Sequence, residues 1–132
     1  MDKRIILTDK QGQPLKSVNI HFKGDTLEEL DRSLRKFSND ADKWVASAEI
    51  AVKDGTTADG RAKSLIGSAA MQVAEHRLKK ILDDTFGKEV YPAFFEIRKP
   101  FASVGGNFYC QQVFNVLHAE ILELIGGLVK DE

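Results

Sequence analysis

ILDDTFGKEVYPAFFEIRKPFASVGGNFY, residues 81–109, separates two long apolar-periodic stretches and holds seven of the chain's eleven aromatic side chains. The seven are Phe86, Tyr91, Phe94, Phe95, Phe101, Phe108 and Tyr109. A long helix is predicted to stop at Phe86-Gly87, where glycine suits a left-handed end. Val90–Ile97 has room for one or two helical turns, with Pro92 near the first turn, where a missing amide is harmless. Lys99-Pro100 ends that piece. Ala102-Ser103-Val104-Gly105-Gly106 reads as a flexible run, and Asn107 is placed to cap a last helix. Rings at this density either fill a core between helices or form an apolar patch for a partner. The partner candidates are Tyr91, Phe94, Phe95, Phe101 and Phe108.

Outward from this stretch, the apolar spacing predicts helices on both sides. Ile66, Ala69, Ala70, Val73, Ala74, Leu78, Ile81 and Leu82 cover more than half of a helical wheel, so a helix over about Ala62–Phe86 is expected to be covered on more than one side. Asp83 and Asp84 fall in its last turn, where the helix dipole disfavours negative charge. Lys79, Lys80 or Lys88 is expected to offset them. After Asn107, Cys110, Val113, Phe114, Leu117, Ile121, Leu124, Ile125 and Leu128 share one arc of about 120°. Upstream, Leu27, Leu30, Leu34, Phe37, Ala41, Trp44 with Val45, Ala48, and Ala51 with Val52 step by three and four. Thr26 or Asp25 can cap that helix, and Thr26 to Glu29 has the capping-box spacing. Asp54–Gly60 connects the helices, with Thr57 or Asp59 available as the next cap. It does not fit a calcium loop: from Asp54, the third and fifth places are Thr56 and Ala58, and no glycine is sixth.

Residues 4–22 alternate with the period of two of a half-buried strand pair. Ile5 and Leu7 lie on one face, Asp9–Pro14 supplies the turn, and Val18, Ile20 and Phe22 return on one face. An isolated hairpin is marginal in water. Val18, Ile20 and Phe22 must therefore dock on the helices or serve self-association with a second chain. The expected fold is α+β and mostly α: an N-terminal β-hairpin over 1–24, then three long helices and one short helix over 25–132, in a single domain.

Composition bounds the function. At 132 residues the chain suits one domain with a real core. A net charge of −1 offers no electrostatic case for nucleic acid. The charges fall in blocks, positive over 1–24 and 61–104 and negative over 25–60 and 105–132, which could steer self-association but most often are just solvated helix faces. A single cysteine excludes an internal disulfide and a multi-cysteine metal site, and suits a reducing compartment. Met1–Arg4 is followed by only three apolar residues, which is no signal peptide. No uninterrupted apolar run nears the ~18 residues of a membrane span. A soluble, cytoplasmic protein is expected, with no membrane contact.

The chemistry that the sequence offers is sparse. Cys110 and His118 are eight residues apart, ~12 Å along a helix, and Cys110 lies on the apolar stripe, where a thiol behaves as a small hydrophobe. His76 is separated from Asp83 and Asp84 by a similar span, and His21 lies on the polar strand face. No HExxH, Gly-Lys-Ser phosphate loop or dinucleotide fingerprint occurs. Gly105-Gly106-Asn107 at a helix start is the one place for an anion, and two glycines before a cap are commonplace. No catalytic residue, metal or cofactor is expected.

Ile81-Leu82-Asp83-Asp84-Thr85-Phe86-Gly87 closing a helix, a short irregular piece, and Asn107 opening a terminal helix resemble the small tail assembly chaperones of long-tailed phages. The N-terminal strand pair and the Asp25-Thr26 helix start are similar too. The link over Val90–Phe101 is longer and more aromatic than that family's pattern. The resemblance implies a non-enzymatic role: coating a helical tape-measure protein while tail-tube subunits are recruited, with a second form made by translational frameshifting. Two alternatives stay open, a self-associating structural or adaptor subunit of a phage or bacterial assembly, and a small enzyme or ligand-binding domain with an aromatic pocket.

Overall fold

In the structure, a computed structural model, residues 2–8, 11–22 and 24–131 are described. The order is β1 (Asp2–Thr8), β2 (Pro14–His21), α1 (Leu27–Val52), α2 (Leu65–Phe86), α3 (Val90–Phe95), β3 (Ser103–Val104), β4 (Asn107–Phe108) and α4 (Tyr109–Asp131). The chain is therefore α+β, with a two-stranded antiparallel hairpin ahead of three long helices and a short one.

β1 and β2 pair from Asp2 opposite His21 to Leu7 opposite Lys16, with an irregularity between Leu7 and Thr8. Asp9 and Lys10 of the expected turn lie outside the described residues. Alternation decides which face docks: Ile5, Val18 and Ile20 are buried, as is Phe22 just past β2, while Ile6 and Leu15 face out. Lys3 ties β1 to α4 through Glu120 at 2.6 Å and Glu123 at 2.7 Å. Burial works against the Lys3 ammonium, but its bonds to both carboxylates outweigh that and raise its pKa.

α1 starts at Thr26, whose hydroxyl accepts from the Glu29 amide at 3.2 Å while the Glu29 carboxylate accepts from the Asp25 amide. Its stripe of Leu30, Phe37, Ala41, Trp44, Ala48 and Val52 is buried between α2 and α4. The Trp44 indole N–H donates to the Ala74 carbonyl at 2.8 Å, fastening α1 to α2 where a buried polar atom would otherwise be costly.

Three expectations give way here. α2 begins at Leu65, not near Ala62, and its cap is Ser64, whose hydroxyl accepts from the Gly67 amide. Residues 55–63 instead form a tight connector: the Lys63 amide donates to Gly55 and the Thr57 amide to Arg61. Asn107 caps nothing. Ser103-Val104 and Asn107-Phe108 pair across Gly105-Gly106, so the supposed flexible run is a small hairpin and α4 starts at Tyr109. Both glycines adopt positive φ, which a two-residue hairpin turn demands. Finally, α2 is not covered on several sides. Among the described residues, only the face with Met71, Ala74, Leu78, Leu82, Thr85 and Phe86 is buried, and no element lies over the outer face.

α2 does end at Gly87, with φ +90° and an extended ψ, and the Gly87 amide donates to Asp83. Lys79 pairs with Asp83, offsetting that carboxylate against the dipole. α4 meets the length and hydropathy of a bilayer-crossing helix, which a search for uninterrupted runs overlooks. In this fold its stripe from Cys110 to Ile121 is packed into the core.

Candidate interaction surfaces

The aromatic stretch lies mainly inside the molecule. Phe22, Phe86, Phe37, Phe114, Trp44, Phe101 and Phe108 form a continuous file, with successive ring centroids 4.9–5.7 Å apart. All but one of these contacts are edge-to-face, which suits the ring quadrupole. Trp44 and Phe101 stack instead. The file runs from the N-terminal hairpin through the helices to β4.

Among the partner candidates, Phe94 and Phe101 are fully buried, and their side chains present nothing to another molecule. Tyr91, Phe95 and Phe108 are half-buried. Tyr91 and Phe95 join Tyr109, whose hydroxyl donates to the Phe94 carbonyl and whose ring carries the Arg98 guanidinium at 5.5 Å. Burial pushes Tyr91 up to about 12 and also raises Tyr109. The self-association candidates Val18, Ile20 and Phe22 are likewise buried within the chain. What the hairpin leaves for a second chain is the outward side chains Ile6 and Leu15 and its open backbone edges: its sheet has two strands and no third partner among the described residues.

The three most exposed large apolar side chains lie elsewhere, with Val73 on the same helix as two of them. Leu65 is 90% exposed, Ile50 89%, Ile66 85% and Val73 54%, at the end of α1 and the start of α2. Ile66 and Val73 were counted above as core positions. Ile50 and Leu65 were not singled out, although Ile50 carries a signal: it is apolar on the side of α1 opposite Ala48 and Val52. From Ser64 to Ala74 no charged residue occurs, so the outer face of α2 is uncharged over three turns.

Two grooves flank α1. One, about 710 Å³, runs between α1 and α4, with Val45, Phe108 and Phe114 as apolar lining and Asp42, Gln112 and His118 among the polar groups. His118 Nδ1 is taken up by the Ser38 hydroxyl at 3.2 Å, and the Gln111 amide reaches Glu49 at 3.4 Å. These contacts clasp two helices together and aim no nucleophile or base at a common point. The second, about 450 Å³, runs between α1 and α2 and is lined by Lys36, Asp40, Lys43, Arg77, Lys80 and Asp84 over Trp44 and Ile81.

Cys110 is fully buried and burial pushes its thiol up to about 12, the opposite of what a nucleophile requires. Among the described residues no three His, Cys, Asp or Glu groups converge as metal ligands. No family model matches this chain, and no curated protein or solved structure matches it either.

Proposed function

We propose that this chain is a non-enzymatic assembly chaperone or adaptor that holds an apolar helical segment of another polypeptide, in the cytoplasm. The observation that carries this is the exposed apolar surface of Ile50, Leu65, Ile66 and Val73, set on α1 and α2 and outside the core cluster. Patches of this kind mark protein contact sites. The placement of the titratable groups supports it from the other side, since His118, Cys110 and Tyr109 are each engaged in packing or helix clasping.

The finer form of the proposal is a tail assembly chaperone that coats a tape-measure protein and recruits tail-tube subunits. It rests on the resemblance of Ile81–Gly87 and of the strand-then-helix layout. The test is co-expression with the longest helical protein encoded beside this gene. A soluble complex of defined stoichiometry, with the long protein insoluble alone, is the expected result. A long protein equally soluble without this chain overturns the proposal.

The hairpin favours one other form, a subunit that self-associates through its open strand edges. Sedimentation over a wide concentration range separates a growing assembly from a monomer that binds only its client.

A further inference from the structure

The groove between α1 and α2 and the exposed apolar patch lie in line along these two helices, and they differ in character. On α1, Lys36, Asp40, Lys43, Ser47 and Ile50 follow at helical spacing on one face, and on α2 so do Ile66, Val73, Arg77 and Lys80. The helices run antiparallel, with Trp44 against Ala74, so Lys36 lies at the Asp84 end and Ile50 at the Ile66 end. One half of this channel is therefore cationic, and the other presents Ile50, Ile66, Val73 and their neighbour Leu65. The cationic half has four basic and two acidic side chains. Lys36 is engaged by Asp40, while Lys43, Arg77 and Lys80 form no ion pair among the described residues. Each half spans two turns or more, and the whole is roughly 21 Å long at the 1.5 Å rise per residue.

We infer that this channel is the seat for an amphipathic helix of another protein, about 15 residues long, with apolar side chains in one half and carboxylates in the other. Charge decides the occupant. Lys43, Arg77 and Lys80 leave an excess of positive charge that an acidic helix end neutralises and a basic one opposes. On α2 the apolar half carries no charge, and on α1 Lys53 near Ile50 is flanked by Glu49 and Asp54, so a polyanion would find net positive charge only at the other end. The polarity of the channel also fixes the direction of the bound helix: its carboxylates lie toward Lys36 and Asp84. This inference rests on the helix-binding reading above and adds the surface, the charge and the orientation.

The test uses the full chain and three dye-labelled amphipathic peptides of about 15 residues, alike in apolar face, with glutamates, lysines or glutamines in one half. Fluorescence anisotropy is expected to rank glutamate above glutamine above lysine, with the preference falling as salt rises. Lys43→Glu combined with Arg77→Glu should weaken the glutamate peptide about tenfold or more and reverse the ranking. Ile50→Ser with Ile66→Ser should weaken all three peptides. These side chains are exposed, so unchanged circular dichroism and melting are expected for both double variants.

Three peptides bound equally, and indifferent to the charge reversal, would overturn the groove assignment and leave helix binding intact. No binding by any of them at millimolar concentration would sink both. If Ile50→Ser with Ile66→Ser instead turns an oligomer into a monomer, the channel is covered by a second copy and the inference fails. Stronger binding of a single-stranded oligonucleotide than of the glutamate peptide would also overturn it.

Discussion

Cys110 is the residue that a search for catalysis notices first, and its surroundings argue against that use. It sits on the first turn of α4 with no exposure, and its thiol is held up at about 12 by burial. The native protein should therefore react with a thiol reagent at neutral pH orders of magnitude more slowly than the unfolded chain. Fast stoichiometric labelling without unfolding would contradict this burial. Glu75 supports a prediction of a different kind. Burial raises its carboxyl pKa, and Lys99 offsets only part of the effect. A carboxyl whose folded pKa is raised stabilises the fold below its ordinary value and loses that contribution as pH rises through the raised one. Ionised Glu75 is thus a small liability at neutral pH. Glu75→Gln should raise Tm by about 1–2 °C at neutral pH and give no gain near pH 4. A gain of equal size at both pH values would show that charge is not the cause.

At the scale of elements, α1 was legible because every signal coincided: a capping box at Thr26–Glu29, a narrow apolar stripe and a length without breakers. α2 was harder to place at its start. Thr57 and Asp59 look like caps in sequence, but their hydroxyl and carboxylate are used inside the connector, and Ser64 caps instead. Ser64→Ala should cost about 1 kcal/mol in urea unfolding, whereas Asp59→Ala should cost much less. The β3–β4 hairpin was missed because two-residue strands carry no periodicity, and Gly105-Gly106 reads equally as flexible linker or tight turn. What fixes it is tertiary: the Ser103 amide donates to Ala58 at 2.8 Å, joining this hairpin to the α1–α2 connector. Gly60 lies at that junction with φ +87°, and a Cβ there would come within 2.8 Å of the Ala102 nitrogen. Gly60→Ala should therefore destabilise by about 1–3 kcal/mol, through backbone strain and displacement of the hairpin. A neutral result would mean that the connector moves freely.

For the whole molecule, what the sequence left open was whether its aromatics face inward, since ring density more often marks a core but also suits a binding patch. The file of rings answers for most of them and also explains the hairpin. β1–β2 is held to the helices through Phe22 against Phe86, and each successive ring passes that contact toward Trp44 and Phe101. The exposed patch could not be found by the same logic, because Ile66 and Val73 fit a buried stripe until the absence of a neighbour over α2 is seen. A file running from end to end also implies that hairpin and helices melt together. Trp44, the single tryptophan, reports from the helical end and lies two rings beyond the Phe86–Phe37 contact. Phe22→Ala removes the first ring from a fully packed site and should cost about 3–5 kcal/mol. Its Tm should fall by on the order of 10 °C or more, with tryptophan fluorescence and far-ultraviolet circular dichroism still coincident. Were the hairpin an appendage that melts by itself, Phe22→Ala would leave the Trp44 transition where it was and shift only a minor part of the dichroism.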